Sequence, residues 1–141
     1  IKTQQYMKLS DEIEVVNKLY QIADGQAFTI RTTSMPYRMQ TVWAYLLNQY
    51  GKPKYQYLPY FENGNVLGYP GTLPVPKNGT TCVRFLVREP SGGIPAHLVK
   101  LDVDEENKFS RIKDEYQIGR FLIQERQAID NDCHNQKPSG Q

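Results

Sequence analysis

The chain has 141 residues, of which 39% are hydrophobic and 23% charged, with a formal net charge of +2 at pH 7. That length suits one domain with one core, and that composition makes disorder the wrong default. Seventeen basic residues are scattered among fifteen acidic ones without a Lys/Arg-rich run, so the electrostatic footprint of a nucleic-acid binder is missing.

Residues 1–9 are polar and predict a flexible N-terminal segment; a start at Ile1 rather than Met predicts an excised or processed piece. Ser10 is a good N-cap, and Asp11 and Glu12 put negative charge where a helix dipole favours it. Leu9, Ile13, Val16, Tyr20 and Ala23 then recur at spacings of three and four, predicting an amphipathic helix that Gly25 stops. Phe28, Ile30 and Thr32 alternate with Thr29 and Arg31 as a short strand. Ser34 and Pro36 open a second helix, whose stripe of Met39, Val42, Trp43, Leu46, Leu47 and Tyr50 is the clearest periodicity in the chain, and Gly51 and Pro53 are expected to end it. With an extended piece over Tyr55–Leu58, this predicts a βαβ unit.

Residues 60–79 read as a Gly- and Pro-rich loop of unusual length. From Thr80 to Glu89, Val83, Phe85 and Val87 face one way and Cys82 and Leu86 the other, which predicts a central strand. Residues 90–95 form a turn. The stretch from His97 ends in the acidic run Asp102-Val-Asp-Glu-Glu106, expected to be a solvated turn. Tyr116 to Gln127 reads as one strand with Gly119 as a bulge. Residues 128–141 are polar and predicted disordered. The fold class is α/β or α+β: one domain over 10–127, with a mixed sheet of about four strands against two amphipathic helices.

No motif supplies a catalytic constellation. There is no GxSxG, HExxH or phosphate loop, and Gly92-Gly93 is only a turn. The acidic run lacks the glycine and the later glutamate of a calcium-binding loop. His97 and His134 are the only histidines, too few for a zinc site. Cys82 and Cys133 leave two readings open, one disulfide in an oxidising compartment or two unrelated thiols. Asn78-Gly79-Thr80 matches a glycosylation acceptor. The feature that stands out is a tyrosine cluster, Tyr50, Tyr55, Tyr57, Tyr60 and Tyr69, with Lys52 and Lys54 among them. Tyrosines on an irregular loop either line a sugar platform or partner interface, or pack the loop onto the domain, and packing is the commoner outcome. The basic pair beside them suits phosphate head groups or an acidic glycan. Tyr50, Lys52, Lys54, Tyr55, Tyr57 and Tyr60 are therefore the candidate ligand- or partner-binding residues.

Four stretches taken in order carry a resemblance. They are the helix Glu12–Ala23 followed by Gly25-Gln-Ala-Phe-Thr-Ile30, the run Tyr45-Leu-Leu-Asn-Gln-Tyr-Gly-Lys-Pro-Lys-Tyr-Gln-Tyr-Leu-Pro59, the strand Val83-Arg-Phe-Leu-Val-Arg-Glu-Pro90, and the closing Phe121-Leu-Ile-Gln-Glu-Arg126. Together they resemble the soluble C-terminal region of bacterial polytopic membrane glycosyltransferases of the dolichyl-phosphate-mannose-dependent type. The resemblance implies a non-catalytic accessory domain on the extracytoplasmic face of a bacterial membrane, periplasmic or at the cell surface. Its implied partners are the membrane-embedded portion of the parent protein and a glycan or lipid-linked sugar. No cofactor is implied, and no catalytic residue carries over, because the family's catalytic acid lies among the membrane helices. The long 61–79 loop and Arg84 and Arg88 in the central strand depart from the pattern. Two other readings are an extracytoplasmic ligand-binding or sensor domain using the 50–79 loop, and a small hydrolase using Cys82 or an acidic pair.

Overall fold

A computed structural model describes residues 9–33, 39–62, 73–77, 79–89 and 96–138, with side chains of the second helix described from Val42 onward. Residues 1–8, Ser34 and Pro36, most of the predicted loop including Tyr69, the acceptor Asn78, the turn at 90–95 and residues 139–141 lie outside the described residues.

The described elements run α1 (Leu9–Ala23), β1 (Phe28–Thr33), α2 (Met39–Leu46), a π-helical turn (Leu47–Gly51), α3 (Lys52–Tyr55), β2 (Tyr60–Phe61), β3 (Val83–Arg88), α4 (Ala96–Asn107), β4 (Ser110–Ile118) and β5 (Phe121–Ala128). The fold is mixed α/β in one domain. Among the described residues the sheet has five strands, in the order β2-β1-β3-β5-β4. β1 pairs in parallel with β2 and β3, and β5 pairs antiparallel with β3 and β4. β3 is the central strand, as its apolar residues on both faces require.

Alternation sorts the sheet into two unlike faces. Phe28, Ile30, Phe85, Val87, Phe121 and Ile123 point to one side and meet Val16, Leu19, Tyr20, Trp43 and Leu47 from the helices in a closed core. Edge-to-face ring pairs run through it, with Phe28 against Tyr20, Tyr57 and Phe85, and Trp43 against Phe121. The Trp43 indole donates to the buried Glu89 carboxylate at 2.7 Å. On the other face stand Arg31, Arg84 and Arg126, covered by α4 and all but sealed from solvent.

Several elements differ from their sequence-based expectation. The buried stripe of α1 is Val15, Val16, Leu19, Tyr20 and Ala23, while Leu9 is 59% exposed. Helix 2 does not stop at Gly51. A wider turn, closed by the Lys52 N–H bonding to Leu47 O, carries it on to Tyr55, and Gln56 in a left-handed conformation ends it. Gly51 is needed for space, since a Cβ there would lie 2.8 Å from the Tyr20 ring. The extended piece predicted at Tyr55–Leu58 is therefore helix end and coil, and the βαβ unit closes on β2 at Tyr60–Phe61. The acidic run is the end of helix α4, not a turn. The single strand predicted over Tyr116–Gln127 is a hairpin, with Gly119 (φ +55°) opening its tight turn rather than forming a bulge.

The predicted disordered tail is instead a strap. Cys133 is disulfide-bonded to Cys82, and His134 exchanges backbone hydrogen bonds with Thr80 and Cys82. Asn135 Oδ1 accepts from the Ala27 N–H at 2.7 Å, and Gln136 O accepts from the Tyr60 hydroxyl at 2.8 Å. Polar composition signalled disorder, but a covalent bond and backbone pairing to the start of β3 supply the order that apolar burial does not.

Candidate functional site

The tyrosine run divides into two groups. Tyr50 sits on the π-helical turn and Tyr55 at the end of α3, so both face α1. There Asn17 receives them. Its Nδ2 donates to the Tyr50 hydroxyl at 2.9 Å, while its Oδ1 accepts from Tyr55 OH at 2.5 Å and from Lys54 Nζ at 2.9 Å. Lys54 also donates to Tyr50 OH at 3.1 Å. The Asn17 and Lys54 hydrogen bonds favour phenolate and lower the Tyr50 pKa, and the Tyr50 contact raises that of Lys54. Tyr55 stacks flat on Tyr20, with centroids 4.3 Å apart.

Beside this cluster lies an open groove of about 690 Å³ between α1 and the edge strand β4, with Asn17, Lys18, Gln21, Lys54, Glu115 and Tyr116 among its walls. Lys18 Nζ lies 4.5 Å over the Tyr116 ring, and the Tyr116 hydroxyl donates to Glu125 at 3.0 Å, which pushes its pKa up to about 12. The groove offers amide, ammonium, carboxylate and phenol groups next to aromatic faces, a set suited to hydroxyl-rich ligands.

The other predicted residues do not join it. Lys52 is half-buried on α3. Tyr57 is core. It is 5% exposed, its hydroxyl donates to Gln26 O at 2.8 Å, its carbonyl accepts from Tyr20 OH at 2.6 Å, and burial raises its pKa to about 12. Tyr60 belongs to the strap side, where it meets the His134 ring edge-on. Of the predicted tyrosines, Tyr57 is thus core, Tyr50 and Tyr55 pack partly against the core, and Tyr60 holds the strap. Asn17, Lys18 and Tyr116 were missed, since nothing in the linear sequence ties a helical Asn to a tyrosine 33 positions later.

Behind the sheet lies a buried ionic network. Glu106, the only fully sealed carboxylate of α4, accepts from Arg31 Nε (2.9 Å), from Arg84 Nε and Nη2 (2.7 and 2.9 Å) and from Ser110 Oγ (2.6 Å). Burial alone would raise its pKa, but these donors outweigh burial and hold it below the ordinary value. Arg84 also reaches Glu62 (2.8 Å) and Thr80 (2.6 Å). Arg126 is served mainly by neutral acceptors, Ser110, Gln124 and Asn107, with Glu106 at 4.0 Å. Asp104 and Glu105 pair with Lys100 and Lys108 on the outside of α4. No cluster of metal-ligating side chains occurs among the described residues. With Cys82 in a disulfide, it has no thiolate to act as a nucleophile. Searches against protein-family models, curated proteins and solved structures returned no match for this chain.

Proposed function

We propose that this is a non-catalytic accessory domain on the extracytoplasmic side of an integral-membrane glycosyltransferase that uses a polyprenyl-phosphate sugar, and that it holds the acceptor glycan in the α1–β4 groove. The observation that carries the reading is the convergence of Tyr50, Lys54 and Tyr55 on Asn17 at the rim of that groove. Hydroxyl and ammonium groups fixed by one another lose little freedom when a sugar hydroxyl joins them, and the nearby rings supply flat apolar surface. The Cys82–Cys133 disulfide supports the extracytoplasmic side, since such bonds persist where the surroundings are oxidising.

The test is sugar transfer in membranes carrying the full-length parent polypeptide. Replacing Tyr50 and Lys54 together by Ala is expected to reduce transfer to the acceptor by about tenfold, the effect of losing roughly 1.4 kcal/mol of acceptor binding. The melting temperature of the domain should stay unchanged, because both side chains lie outside the core cluster or at its edge. Unchanged transfer would remove the docking role. A parent with no transmembrane segments, or with no transfer from a polyprenyl-phosphate donor, would remove the transferase reading itself.

A further inference from the structure

Among the described residues the sheet has two outer strands, β2 and β4. β2 is two residues long, but β4 runs for nine, Ser110–Ile118, and its ladder partner is β5 on the inner side. The backbone groups on its outer side meet no further strand among the described residues. The side chains of Arg111, Ile112, Lys113, Asp114 and Glu115 are all exposed. An open edge of that length is a template for another strand.

Two features of β4 select the strand that fits. The first is charge. Arg111 and Lys113 stand in its N-terminal half, and Asp114 and Glu115 follow them. A second β4 laid antiparallel sets the basic half of each copy on the acidic half of the other. The second feature is the bulge between Ile112 and Asp114. Ser110, Ile112, Glu115 and Gln117 lie opposite Ala128, Arg126, Gln124 and Leu122, so they share the face that carries Arg126. Arg111, Asp114, Tyr116 and Ile118 lie opposite Gln127, Glu125, Ile123 and Phe121, on the face that carries the core. Lys113 is the extra residue, and its Nζ lies 3.6 Å from Glu125, so it leans to the core face as well. From Ile112 to Glu115 the faces therefore read outer, core, core, outer, the same in either direction.

Residues opposite one another in an antiparallel pair must share a face. A twofold axis between Lys113 and Asp114 meets that demand throughout. It sets Lys113 opposite Asp114 of the other copy, Ile112 opposite Glu115, Arg111 opposite Tyr116 and Ser110 opposite Gln117. An axis through Lys113 or through Asp114 would pair residues from opposite faces. A bulge and mixed charges on an outer strand ordinarily deter pairing with arbitrary strands. Here the same two devices match a copy of themselves.

We infer that β4 pairs antiparallel with β4 of a second copy of this chain, about a twofold axis between Lys113 and Asp114, joining two sheets into one. The Lys113–Asp114 contact is made twice, as such symmetry requires. The local contacts of these side chains are exposed ones: Lys113 with Glu125, Asp114 with the Glu115 N–H and the Tyr116 hydroxyl, and Glu115 with Gln124. Exchanging them costs little. One strand pair covers less than a standard interface, so the dimer is weak and depends on concentration and salt. None of this depends on what the α1–β4 groove binds.

The experiment is sedimentation equilibrium of the 141-residue chain from about 10 μM to about 1 mM, with hydrogen exchange on the same samples. The mass is expected to rise from monomer toward dimer, with exchange slowing along β4. Lys113→Glu and Asp114→Lys each set like charges across the axis twice, and each is expected to weaken association by about tenfold. Mixing the two variants restores opposite charges at both crossings, so the mixture should associate as the parent does. Both side chains are exposed, and each variant should keep the parent's circular dichroism and melting temperature. A monomer at every concentration leaves the edge to a strand of some other chain and overturns the inference. So does a dimer that neither variant weakens, or a mixture no tighter than its components.

Discussion

At the scale of single residues, the fold depends most on Glu106. Its two oxygens meet donors from Arg31, Arg84 and Ser110, which arrive from three different strands. A Gln there keeps the shape but takes the paired carboxylate from Arg31 and leaves Arg84 with Glu62 alone, and its NH₂ faces donors. Glu106→Gln is expected to destabilise the domain by about 3–5 kcal/mol in urea unfolding, the cost of breaking a buried ion pair by removing one partner. A loss below about 1 kcal/mol would mean that water reaches the network and that α4 does not seal it. Nothing in the acidic run marks Glu106 out from Glu105, its neighbour, which pairs with Lys108 in solvent. The helical register sends one inward and the other outward, and a sequence read as a turn has no register.

At the scale of elements, the disulfide and the strap behave as one unit. Cys82 and Cys133 are separated by 51 positions, and the bond joins the start of β3 to a segment with little apolar content of its own. Constraining a loop of that length in the unfolded chain is worth about 4 kcal/mol in the chain-entropy model. Replacing both cysteines by Ser is expected to lower unfolding free energy by roughly that amount, and hydrogen exchange should then rise first at the amides of Cys82, His134 and Ala27. If those amides exchange no faster than in the parent, backbone pairing alone holds the strap. The same scale explains the second helix. Its apolar stripe from Val42 to Leu47 was plain in the sequence, but its end was not. Gly51 looks like a terminator and acts as a spacer for the Tyr20 ring.

At the scale of the whole molecule, two buried carboxylates pull stability in opposite directions with pH. Burial, with Asp11 adding to it, raises Glu12 from 4.5 to about 7. The folded state then holds a proton that the unfolded state has released, so stability falls as pH rises from about 4.5 to about 7 and is level above. Glu106 lies below its ordinary value, so its contribution is present above the unfolded pKa and is lost as pH falls through the folded one. Unfolding free energy is therefore expected to peak on the acid side, near pH 5, and to drop both toward neutrality and below pH 4. Glu12→Gln should remove the decline between pH 5 and pH 7 while leaving the acid limb in place. A flat profile between those pH values in the parent chain would show that Glu12 is ionised and solvated in the fold.

The sequence by itself determined the α/β class, the first two helices, the strand at Phe28 and the central position of Val83–Arg88, because each is written in local periodicity and each lies along one stretch of chain. It also drew attention to Tyr50, Lys54 and Tyr55, though not to the partner that gathers them. Tertiary structure alone decided that Tyr57 is core, that Asn17 joins Tyr50 to Tyr55, that residues 129–138 are fastened to the sheet, and that three arginines share one carboxylate. The physical reason is that these are contacts between residues far apart in the chain. Their free energy depends on which faces the sheet and helices turn toward each other, and composition and periodicity carry no record of that.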